Sequence, residues 1–362
     1  MTDREKAGLR GPVKTCVEEG SYAVGKYLIT TEFTSDGKLL STRHTNPDGS
    51  EWSTVQAYDP AGRLVKTTVV QSGKVSDETT YSYDETGRRL HIAHTPKKGD
   101  RTEFHYDEQG VKSSIQYFDP ETLRGFQTQS VSVGGSFWDA ATHGIGVPMG
   151  GTITTSYNAN DQPIEAQVRD ADGQVVTRFV RTYDTAGRMM EDKAIPVNAG
   201  RAFVARMVER ARTELKGQIA PDEVAHMNQA VNAFFGDEPI QTMSYAYDAQ
   251  GRERINRRRA MGFDSTTTTI YNDRGEKAEE RRTLGSNNAF LSGVRARFEN
   301  AGLDPPNMGS EALQALQNLP ELDVGRFEYE YDSHGNWTQQ LAMNASHPEL
   351  PSTARNRKFT YF

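Results

Sequence analysis

The chain has 362 residues, a formal net charge of −7 and one cysteine. Its negative charge disfavours nucleic acid as a partner, because binding to phosphates requires a basic surface, and a single cysteine excludes an intramolecular disulfide. Hydrophobic residues make up 35% of the chain, but 15 Tyr and 15 Phe supply large rings that can cover one face of a sheet.

The N-terminal residues 1–32 are predicted to form capping strands. The first residues, Met1 to Lys6, do not have the pattern of a signal peptide, so a cytoplasmic location is expected if this Met is the native start. Cys16 is expected to be buried as a small apolar residue. No apolar run reaches the roughly 18 residues of a transmembrane helix, which predicts that the chain does not insert into a membrane.

From residue 33 onward a short motif recurs. Tyr-Asp-x-x-Gly occurs six times, opening at Tyr58, Tyr83, Tyr106, Tyr183, Tyr247 and Tyr331. The interval is about two dozen residues, which indicates one supersecondary unit repeated many times. The Asp side chain is expected to accept hydrogen bonds from nearby backbone N–H groups and the Gly to adopt a positive φ, which predicts a hairpin turn. The predicted turn residues are Asp59, Gly62, Asp84, Gly87, Asp107, Gly110, Asp184, Gly187, Asp248, Gly251, Asp332 and Gly335.

The segments between the turns are predicted to be β-strands of about eight residues. Aromatic and charged residues alternate in them, as in Phe327-Glu328-Tyr329-Glu330-Tyr331, so the rings point to one face of a sheet and the charges to the other. These rows of rings are predicted to form a ligand surface. The predicted ligand-binding residues are Tyr81, Tyr83, Tyr106, Trp138, His143, Tyr245, Tyr247, Tyr329 and Tyr331.

Three long gaps interrupt the repeat and are predicted to be inserts. Residues 119–151 are rich in glycine, which predicts an irregular loop. Residues 198–237 and 286–322 carry apolar side chains at positions i, i+3 and i+4, which predicts two helical hairpins packed on the sheet. Pro221 is expected to stand in the first turn of the second helix of the first hairpin.

The glycine-rich loop has two interpretations. Trp138, Asp139 and His143 form a polar pocket in the first, with His143 as a general base oriented by Asp139. The second interpretation is a packed loop that replaces a lost turn, because one His and one Asp specify no chemistry by themselves. His91 and His94 lie three residues apart on one predicted strand and would point to opposite faces, so no metal site is predicted.

Two basic runs, Arg257-Arg258-Arg259 and Arg281-Arg282, are local exceptions to the negative charge. They are interpreted as solvated charges on a sheet face. The acidic residues expected to balance them are Glu253, Glu276, Glu279 and Glu280.

The extended motif Tyr-Asp-x-x-Gly-Arg, with Arg63, Arg88, Arg188 and Arg252 after the Gly, resembles the YD repeat of Rhs proteins, teneurins and insecticidal toxin-complex shells. The resemblance covers residues from about 33 to 362. It implies a long antiparallel β-ribbon that winds into a spiral sheet, which in many members encloses a toxin domain, and an extracellular or cell-surface location. In some members the repeats are credited with binding carbohydrate. With about ten units, and without the Rhs core segment or a toxin domain, the chain resembles a short member.

The predicted fold is an all-β repeat array over residues 33–362. It is an antiparallel β-hairpin ribbon that winds into a curved or spiral sheet, with the two helical hairpins and the glycine-rich loop as inserts. An open ribbon leaves two edges with unpaired backbone groups, which must be closed into a barrel, covered by the inserts, or paired with another copy as a homo-oligomer.

The favoured function is a non-catalytic scaffold or interaction protein whose Tyr-rich surface binds a glycan or a protein. One alternative is a fragment or relative of an Rhs-type toxin-encapsulating shell. Another alternative is a hydrolase with a pocket in the 134–151 loop. The sequence predicts no catalytic residues, no metal site, no cofactor and no nucleic-acid partner.

Overall fold

The computed structural model describes residues 1–22, 25–95, 100–118, 136–142, 147–148, 150–198, 220–236, 238–260, 262–286, 288–305 and 323–362. The described residues contain twenty β-strands and four α-helices, so the prediction of a β-strand-rich protein is confirmed. The strands are β1 (Val13–Tyr22), β2 (Gly25–Phe33), β3 (Leu39–Thr45), β4 (Glu51–Tyr58), β5 (Leu64–Gln71), β6 (Lys74–Tyr83), β7 (Arg89–Thr95), β8 (Arg101–Tyr106), β9 (Lys112–Tyr117), β10 (Thr152–Tyr157), β11 (Pro163–Arg169), β12 (Val175–Tyr183), β13 (Met189–Pro196), β14 (Gln241–Tyr247), β15 (Glu253–Ala260), β16 (Phe263–Tyr271), β17 (Lys277–Ser286), β18 (Asp323–Tyr331), β19 (Trp337–Asn344) and β20 (Thr353–Tyr361). The helices are α1 (Asp3–Lys6), α2 (Phe137–Thr142), α3 (Pro221–Phe235) and α4 (Asn288–Asn300).

Parts of the predicted inserts lie outside the described residues. These parts are the first helix of the 198–237 hairpin, the second helix of the 286–322 hairpin, and much of the glycine-rich loop, including His143. Helix α3 begins at Pro221, and α4 occupies the start of the third insert.

The sheet is closed. All twenty strands belong to one sheet, and β1 pairs antiparallel both with β2 and with β20, the last strand. The prediction of an antiparallel ribbon that winds into an open curved or spiral sheet is therefore wrong. Of the three alternatives for the two edges, the structure shows closure, because β1 and β20 are paired with each other. A repeat period specifies which strands are neighbours along the chain, but it carries no information about where the first and last strands meet.

The chain divides into two compact units. Unit 1 comprises Met1–Lys98, Ile270–Glu280 and Asp323–Phe362, and unit 2 comprises Gly99–Thr269 and Arg281–Leu322. In unit 1 the predicted capping region contributes β1 and β2 to the sheet itself.

The core of unit 1 is closed by the segment that precedes β1. Helix α1 has a capping box, because the Thr2 hydroxyl accepts from the Glu5 N–H at 3.2 Å and the Glu5 carboxylate accepts from the Thr2 N–H at 2.7 Å. Asp3 ties the helix to the sheet by accepting from the backbone N–H of Leu39 at 3.1 Å. The buried core residues are Leu9, Val13, Cys16 and Phe33.

Unit 2 has two clusters of buried residues. The larger cluster lies where α2 packs against the sheet and contains Phe118, Trp138, Ala141, Val147, Ile153, Ala166, Val168, Val176, Phe179 and Ala194. The smaller cluster joins α3 to α4 through Ala233, Val294 and Phe298. Arg297 of α4 donates to the Ala233 and Phe234 carbonyls at 2.9 and 3.1 Å, which satisfies acceptors at the end of α3 that have no partner within the helix.

The repeated motif forms a tight turn held by its Asp side chain. In the turn after β12, the Asp184 carboxylate accepts from the backbone N–H groups of Ala186 and Arg188, both at 2.9 Å. Its second oxygen accepts from Nε of Arg188 at 2.7 Å. Gly187 has a φ of 78°, which residues with a Cβ rarely adopt, and its N–H donates to the Asp184 carbonyl at 3.0 Å.

The arginine that follows the motif also joins its turn to the next repeat. The Arg188 guanidinium lies 4.9 Å from the ring centroid of Tyr247 while its Nε stays bonded to Asp184. The Tyr247 hydroxyl donates to the backbone carbonyl of Met189 at 2.7 Å. Tyr, Asp and Arg of the motif therefore form a staple across neighbouring hairpins.

The staple recurs in unit 1. Arg63 lies 4.9 Å from the ring centroid of Tyr83, whose hydroxyl donates to the Leu64 carbonyl at 2.7 Å. Tyr58 donates in the same way to the Leu39 carbonyl at 2.8 Å. In each case the tyrosine hydroxyl reaches a carbonyl on the strand that follows the preceding motif turn.

Two degenerate copies replace Asp by Asn and lack the arginine. The Asn158 side-chain oxygen accepts from the backbone N–H of Gln162 at 3.0 Å, and the Asn272 oxygen accepts from that of Glu276 at 2.9 Å. These copies therefore retain a side-chain oxygen that accepts from the backbone N–H, although they lack the arginine guanidinium.

The last copy uses its Asn to hold the N-terminal segment. Asn336 follows the motif glycine where other copies have Arg, and its side chain accepts from the Arg10 N–H at 2.6 Å and donates to the Arg10 carbonyl at 2.8 Å. The Tyr361 hydroxyl of β20 donates to Asp332 of the same turn. This turn therefore contributes to the closure of the sheet.

Asp184→Asn is expected to lower Tm slightly at neutral pH and to have no effect at low pH. Backbone and side-chain hydrogen bonds from Arg188 lower the pKa of the Asp184 carboxyl from its usual 3.8. Its contribution to stability is therefore complete above pH 3.8 and is lost as the pH falls through the lower pKa of the folded state. The Asn side chain of the variant keeps an oxygen that accepts from the backbone N–H, as that of Asn158 does. It loses the charged hydrogen bond with the Arg188 guanidinium.

Thermal unfolding between about pH 2 and about pH 7 tests this expectation. Asp107→Asn is the matched control, because Asp107 accepts from the backbone N–H of Val111 at 2.7 Å in a turn that has no arginine at that position. Equal pH dependence of the two variants would contradict the role assigned to Arg188.

Candidate functional site

A row of side chains crosses five strands on one face of unit 1. The strands pair in the order β20, β1, β2, β3, β4. Their register places Arg357 opposite Glu18, Glu18 opposite Ile29, Ile29 opposite His44, and His44 opposite Trp52. Because directly opposed residues project from the same face, these five form a continuous line, here called the cross-strand row.

The aromatic end of the row is a stacked pair. The His44 imidazole and the Trp52 indole have ring centroids 3.9 Å apart and planes inclined by 8°. Trp52 is 38% exposed, whereas Trp138 is 3% and Trp337 is 8% exposed, so the stack presents the most accessible indole of the protein. Burial lowers the pKa of His44, which keeps the imidazole neutral at physiological pH.

The charged end of the row is an ion pair that closes the sheet. Glu18 is buried at 8% exposure and accepts from Nε of Arg357 at 2.8 Å and from Arg355 at 3.5 Å. The Arg357 guanidinium lies 3.6 Å from a ring centroid of Trp337. Its position is therefore fixed on one side by a carboxylate and on the other by an aromatic ring.

A cavity of about 160 Å³ lies beside the row. Its walls combine aliphatic and aromatic carbon with a hydroxyl, a thiol, a carboxylate and a guanidinium. The lining residues are Ala7, Leu9, Cys16, Glu18, Ile29, Thr31, Phe33 and Arg357. A cavity of roughly this size holds a molecule of about six ring atoms. Burial raises the pKa of the Cys16 thiol to about 11, so the thiol is protonated and is not a nucleophile near neutral pH.

The predicted ligand-binding tyrosines lie on four strands, and among them Tyr329 and Tyr331 are neighbours, with ring centroids 6.1 Å apart. Tyr81 and Tyr83 lie on β6, Tyr106 on β8, Tyr245 and Tyr247 on β14, and Tyr329 and Tyr331 on β18. They are distributed along the repeats, one or two to a hairpin.

Most of these hydroxyl groups are engaged within the sheet. Tyr83 and Tyr247 donate to backbone carbonyls in the staples, and Tyr329 donates to the Lys277 carbonyl at 2.8 Å. The Tyr245 side chain is buried, which raises the pKa of its hydroxyl. A role of these rings in ligand binding stays a prediction.

Trp138 and Asp139 belong to α2 in unit 2, where both contact one arginine. The Arg181 guanidinium lies 4.4 Å from a ring centroid of Trp138 and donates to Asp139 at 2.8 Å. His143, the third member of the predicted pocket, lies outside the described residues. The hydrolase interpretation of this loop stays a prediction.

A buried network that the sequence analysis missed anchors α2. Asp192 is 2% exposed and accepts from the Ser136 hydroxyl at 2.6 Å and from Arg181 at 2.9 and 3.0 Å. The Ser136 hydroxyl also accepts from the backbone N–H of Trp138 at 3.1 Å. Arg181 and Asp192 are cross-strand partners in the β12–β13 hairpin, so opposite charges on the two sides of a predicted turn were the available signal.

The cross-strand row was also missed. His44 and Trp52 lie at similar distances from the predicted turn Pro47-Asp48-Gly49, so their pairing was accessible to sequence reasoning. The pairing of Glu18 with Arg357 was not, because more than three hundred residues separate them. Within the described ranges, no group of three His, Cys, Asp or Glu side chains is arranged to hold a metal ion. No described helix is both long and apolar enough to cross a membrane.

No protein-family model matches the chain, and neither does any curated protein. Among solved structures, the chain is similar to a porin-like protein from Bacteroides uniformis, with 11% identity over 97% of this chain and 99% of that one and a TM-score of 0.33. It is also similar to the TcdB2-TccC3 structure, with 10% identity over 91% of this chain but 17% of that one and a TM-score of 0.30. A porin-like protein from Bacteroides vulgatus gives 10% identity, coverage of 97% and 99%, and a TM-score of 0.24. At these values the similarities support no conclusion about function.

Proposed function

We propose that the protein is a non-catalytic interaction protein and that the cross-strand row of unit 1 binds a carbohydrate. The observation that carries the proposal is the accessible Trp52 indole, stacked on His44 in line with a ring-sized cavity that contains polar groups. Ligand sites combine an apolar surface with a few polar groups that fix orientation. A sugar ring needs both, because its C–H face packs on an aromatic ring and its hydroxyl groups need hydrogen-bonding partners.

The polar groups of the row favour an uncharged sugar. The Glu18 carboxylate and the Arg357 guanidinium compensate each other at 2.8 Å, so a charged ligand would compete with an existing ion pair. Each group retains hydrogen-bonding capacity for a hydroxyl group, and the Thr31 hydroxyl in the cavity wall adds a donor and acceptor.

The same groups argue for binding without hydrolysis. Glycoside hydrolysis ordinarily uses two carboxyl groups that flank the scissile bond. The lining of this cavity contains one carboxylate, Glu18, which is held in an ion pair. A carbohydrate-binding role is consistent with the extracellular or cell-surface location implied by the family resemblance, where polysaccharides are encountered.

Trp52→Ala is expected to weaken polysaccharide binding by at least about tenfold, because removal of the aromatic ring on which a sugar packs costs more than about 1.4 kcal/mol. Binding is measured by affinity gel electrophoresis on a panel of neutral polysaccharides. Intrinsic fluorescence provides a second readout, because Trp52 is the exposed indole and should report contact with the sugar.

Val75→Ala is the matched control, because Val75 is an exposed apolar side chain of unit 1 that is not part of the row. Thr31→Val tests whether the ligand enters the cavity, because it removes the hydroxyl with little change in volume. Failure of every polysaccharide to bind, or equal affinity of the wild type and Trp52→Ala, would refute the proposal.

A further inference from the structure

The cavity beside the cross-strand row has walls of two kinds. Six of its eight lining residues lie on three strands, β1, β2 and β20. The other two, Ala7 and Leu9, belong to residues 2–9, here called the strap, which precede β1 and include α1. Three lining residues are also members of the row, namely Glu18, Ile29 and Arg357. Without the strap, the cavity would therefore be a groove on the sheet that continues into the row.

The strap is attached by few contacts. All of its residues are described, and of these Leu9 alone is buried, whereas residues 5–8 are exposed. Within the described part of the chain, three hydrogen bonds join the strap to the rest of unit 1: the Asp3 carboxylate accepts from the Leu39 N–H at 3.1 Å, the Arg4 N–H donates to the Gly37 carbonyl at 3.0 Å, and Nη1 of Arg4 donates to the Val13 carbonyl at 3.2 Å. A segment with one buried side chain and no place in the strand ladder opens at a small fraction of the cost of global unfolding.

The two ends of the strap are held differently. At the end next to β1, the side chain of Asn336 bonds both to the N–H and to the carbonyl of Arg10, so the chain is fixed there to the last turn. At the other end, α1 is held by the contacts of Asp3 and Arg4 described above. Between the two ends, Gly8 has a φ of 72°, in a region where a residue without a Cβ turns freely. The strap can therefore swing about its fixed end while the sheet stays intact.

We propose that the strap is a lid of this cavity and that its opening admits the carbohydrate. The identity of the ligand rests on the proposed function, whereas the opening itself requires no ligand. The hydrogen bond between Asp3 and Leu39 is the latch, because it is the side-chain contact that ties α1 to β3. When the latch breaks, Ala7 and Leu9 leave the wall and the cavity becomes accessible. A sugar that enters only the open form binds with an apparent affinity reduced in proportion to the open fraction, so the latch sets the affinity.

Labelling of Cys16 with a maleimide in the full chain tests the opening. Cys16 is the one cysteine of the protein, and it lies in the cavity wall at 6% exposure, so its labelling rate reports access to the cavity. The rate should depend little on urea below the unfolding transition, because opening of the strap exposes little surface. Asp3→Ala should label at least about tenfold faster, since it removes a hydrogen bond to a charged group. Asp3→Asn should label more slowly than Asp3→Ala, because its side-chain oxygen still accepts from Leu39.

Lys6→Ala is the matched control, because it removes an exposed ion pair with Asp3 and leaves the bond to Leu39 in place. It should label at the wild-type rate. A labelling rate whose urea dependence equals that of global unfolding, or equal rates in Asp3→Ala and Lys6→Ala, would overturn the lid whether or not a sugar binds.

The second arm uses dextran, laminarin and xylan as soluble neutral polysaccharides. One that binds should slow the labelling of Cys16 by filling the cavity, and it should bind more tightly to Asp3→Ala than to the wild type, because the variant is open more often. Equal affinities would show that the strap does not control access. If none of them binds, the proposed function fails, while the labelling rates still decide whether the strap opens.

Discussion

Asp192→Ala is expected to lower the free energy of unfolding by about 3–5 kcal/mol, the usual cost of removing one partner of a buried ion pair. The Asp192 side chain is 2% exposed and that of Arg181 is 12% exposed. Loss of the carboxylate leaves the Arg181 guanidinium desolvated with Asp139 as its remaining acid, and Asp139 is 65% exposed. The Ser136 hydroxyl loses its acceptor as well.

Urea unfolding followed by tryptophan fluorescence measures this effect, because Trp138 packs on Arg181. Glu191→Ala is the matched control, since Glu191 is the adjacent residue and pairs at 2.7 Å with Lys193 on the more exposed face. Such a pair contributes about 0–1 kcal/mol. In the double variant Asp192→Ala/Arg181→Met the loss should be smaller than in Asp192→Ala alone, because no unpaired charge remains. A cost for Asp192→Ala no greater than that for Glu191→Ala would contradict the assigned role.

Glu18→Ala is expected to produce a second loss of about 3–5 kcal/mol, and its effect should be concentrated where the sheet closes. Glu18 on β1 is the carboxylate that holds Arg357 and Arg355 on β20. Without it, the Arg357 guanidinium, which is 19% exposed, loses the carboxylate with which it is paired.

Hydrogen exchange measured by mass spectrometry locates this loss. Backbone amides of β1 and β20 should exchange faster in Glu18→Ala, while those of unit 2 should change little. Glu19→Ala is the control, because Glu19 is adjacent and its ion pair with Lys26 is exposed. Uniform acceleration of exchange throughout the chain would show that Glu18 stabilises the whole fold and has no particular role in closure.

The turns of this fold, and the pairing of the two strands that flank each turn, can be predicted from the repeated motif. Asp184 and Gly187 adopt the turn geometry that their side chains dictate, because the partners lie within four residues. The strand between two such turns has its pairing partner fixed by the turn itself. Local reasoning does not reach the contact of Arg188 with Tyr247, because Tyr247 lies on a strand that follows the 198–237 insert.

The remaining features depend on contacts between distant residues. Tyr247 and its acceptor carbonyl at Met189 are 58 residues apart, and Glu18 and Arg357 are 339 residues apart. A half-buried structural tyrosine and a ligand-binding tyrosine both occur at alternating positions of a strand. The sequence does not distinguish them, which is why the rows of Tyr were interpreted as a ligand-binding surface. The closure of the sheet has no local signature, because β1 and β20 would each be ordinary edge strands without the other.

The pairing of β1 with β20 also restricts how a chain of this kind can change in length. A ring of strands in which every neighbour runs in the opposite direction can contain only an even number of strands. Each hairpin repeat supplies two strands, so duplication or deletion of a whole repeat preserves the alternation, whereas gain or loss of one strand would force a parallel pair at the seam. Such a lineage is therefore expected to grow and shrink by complete repeats, with each step adding or removing two strands.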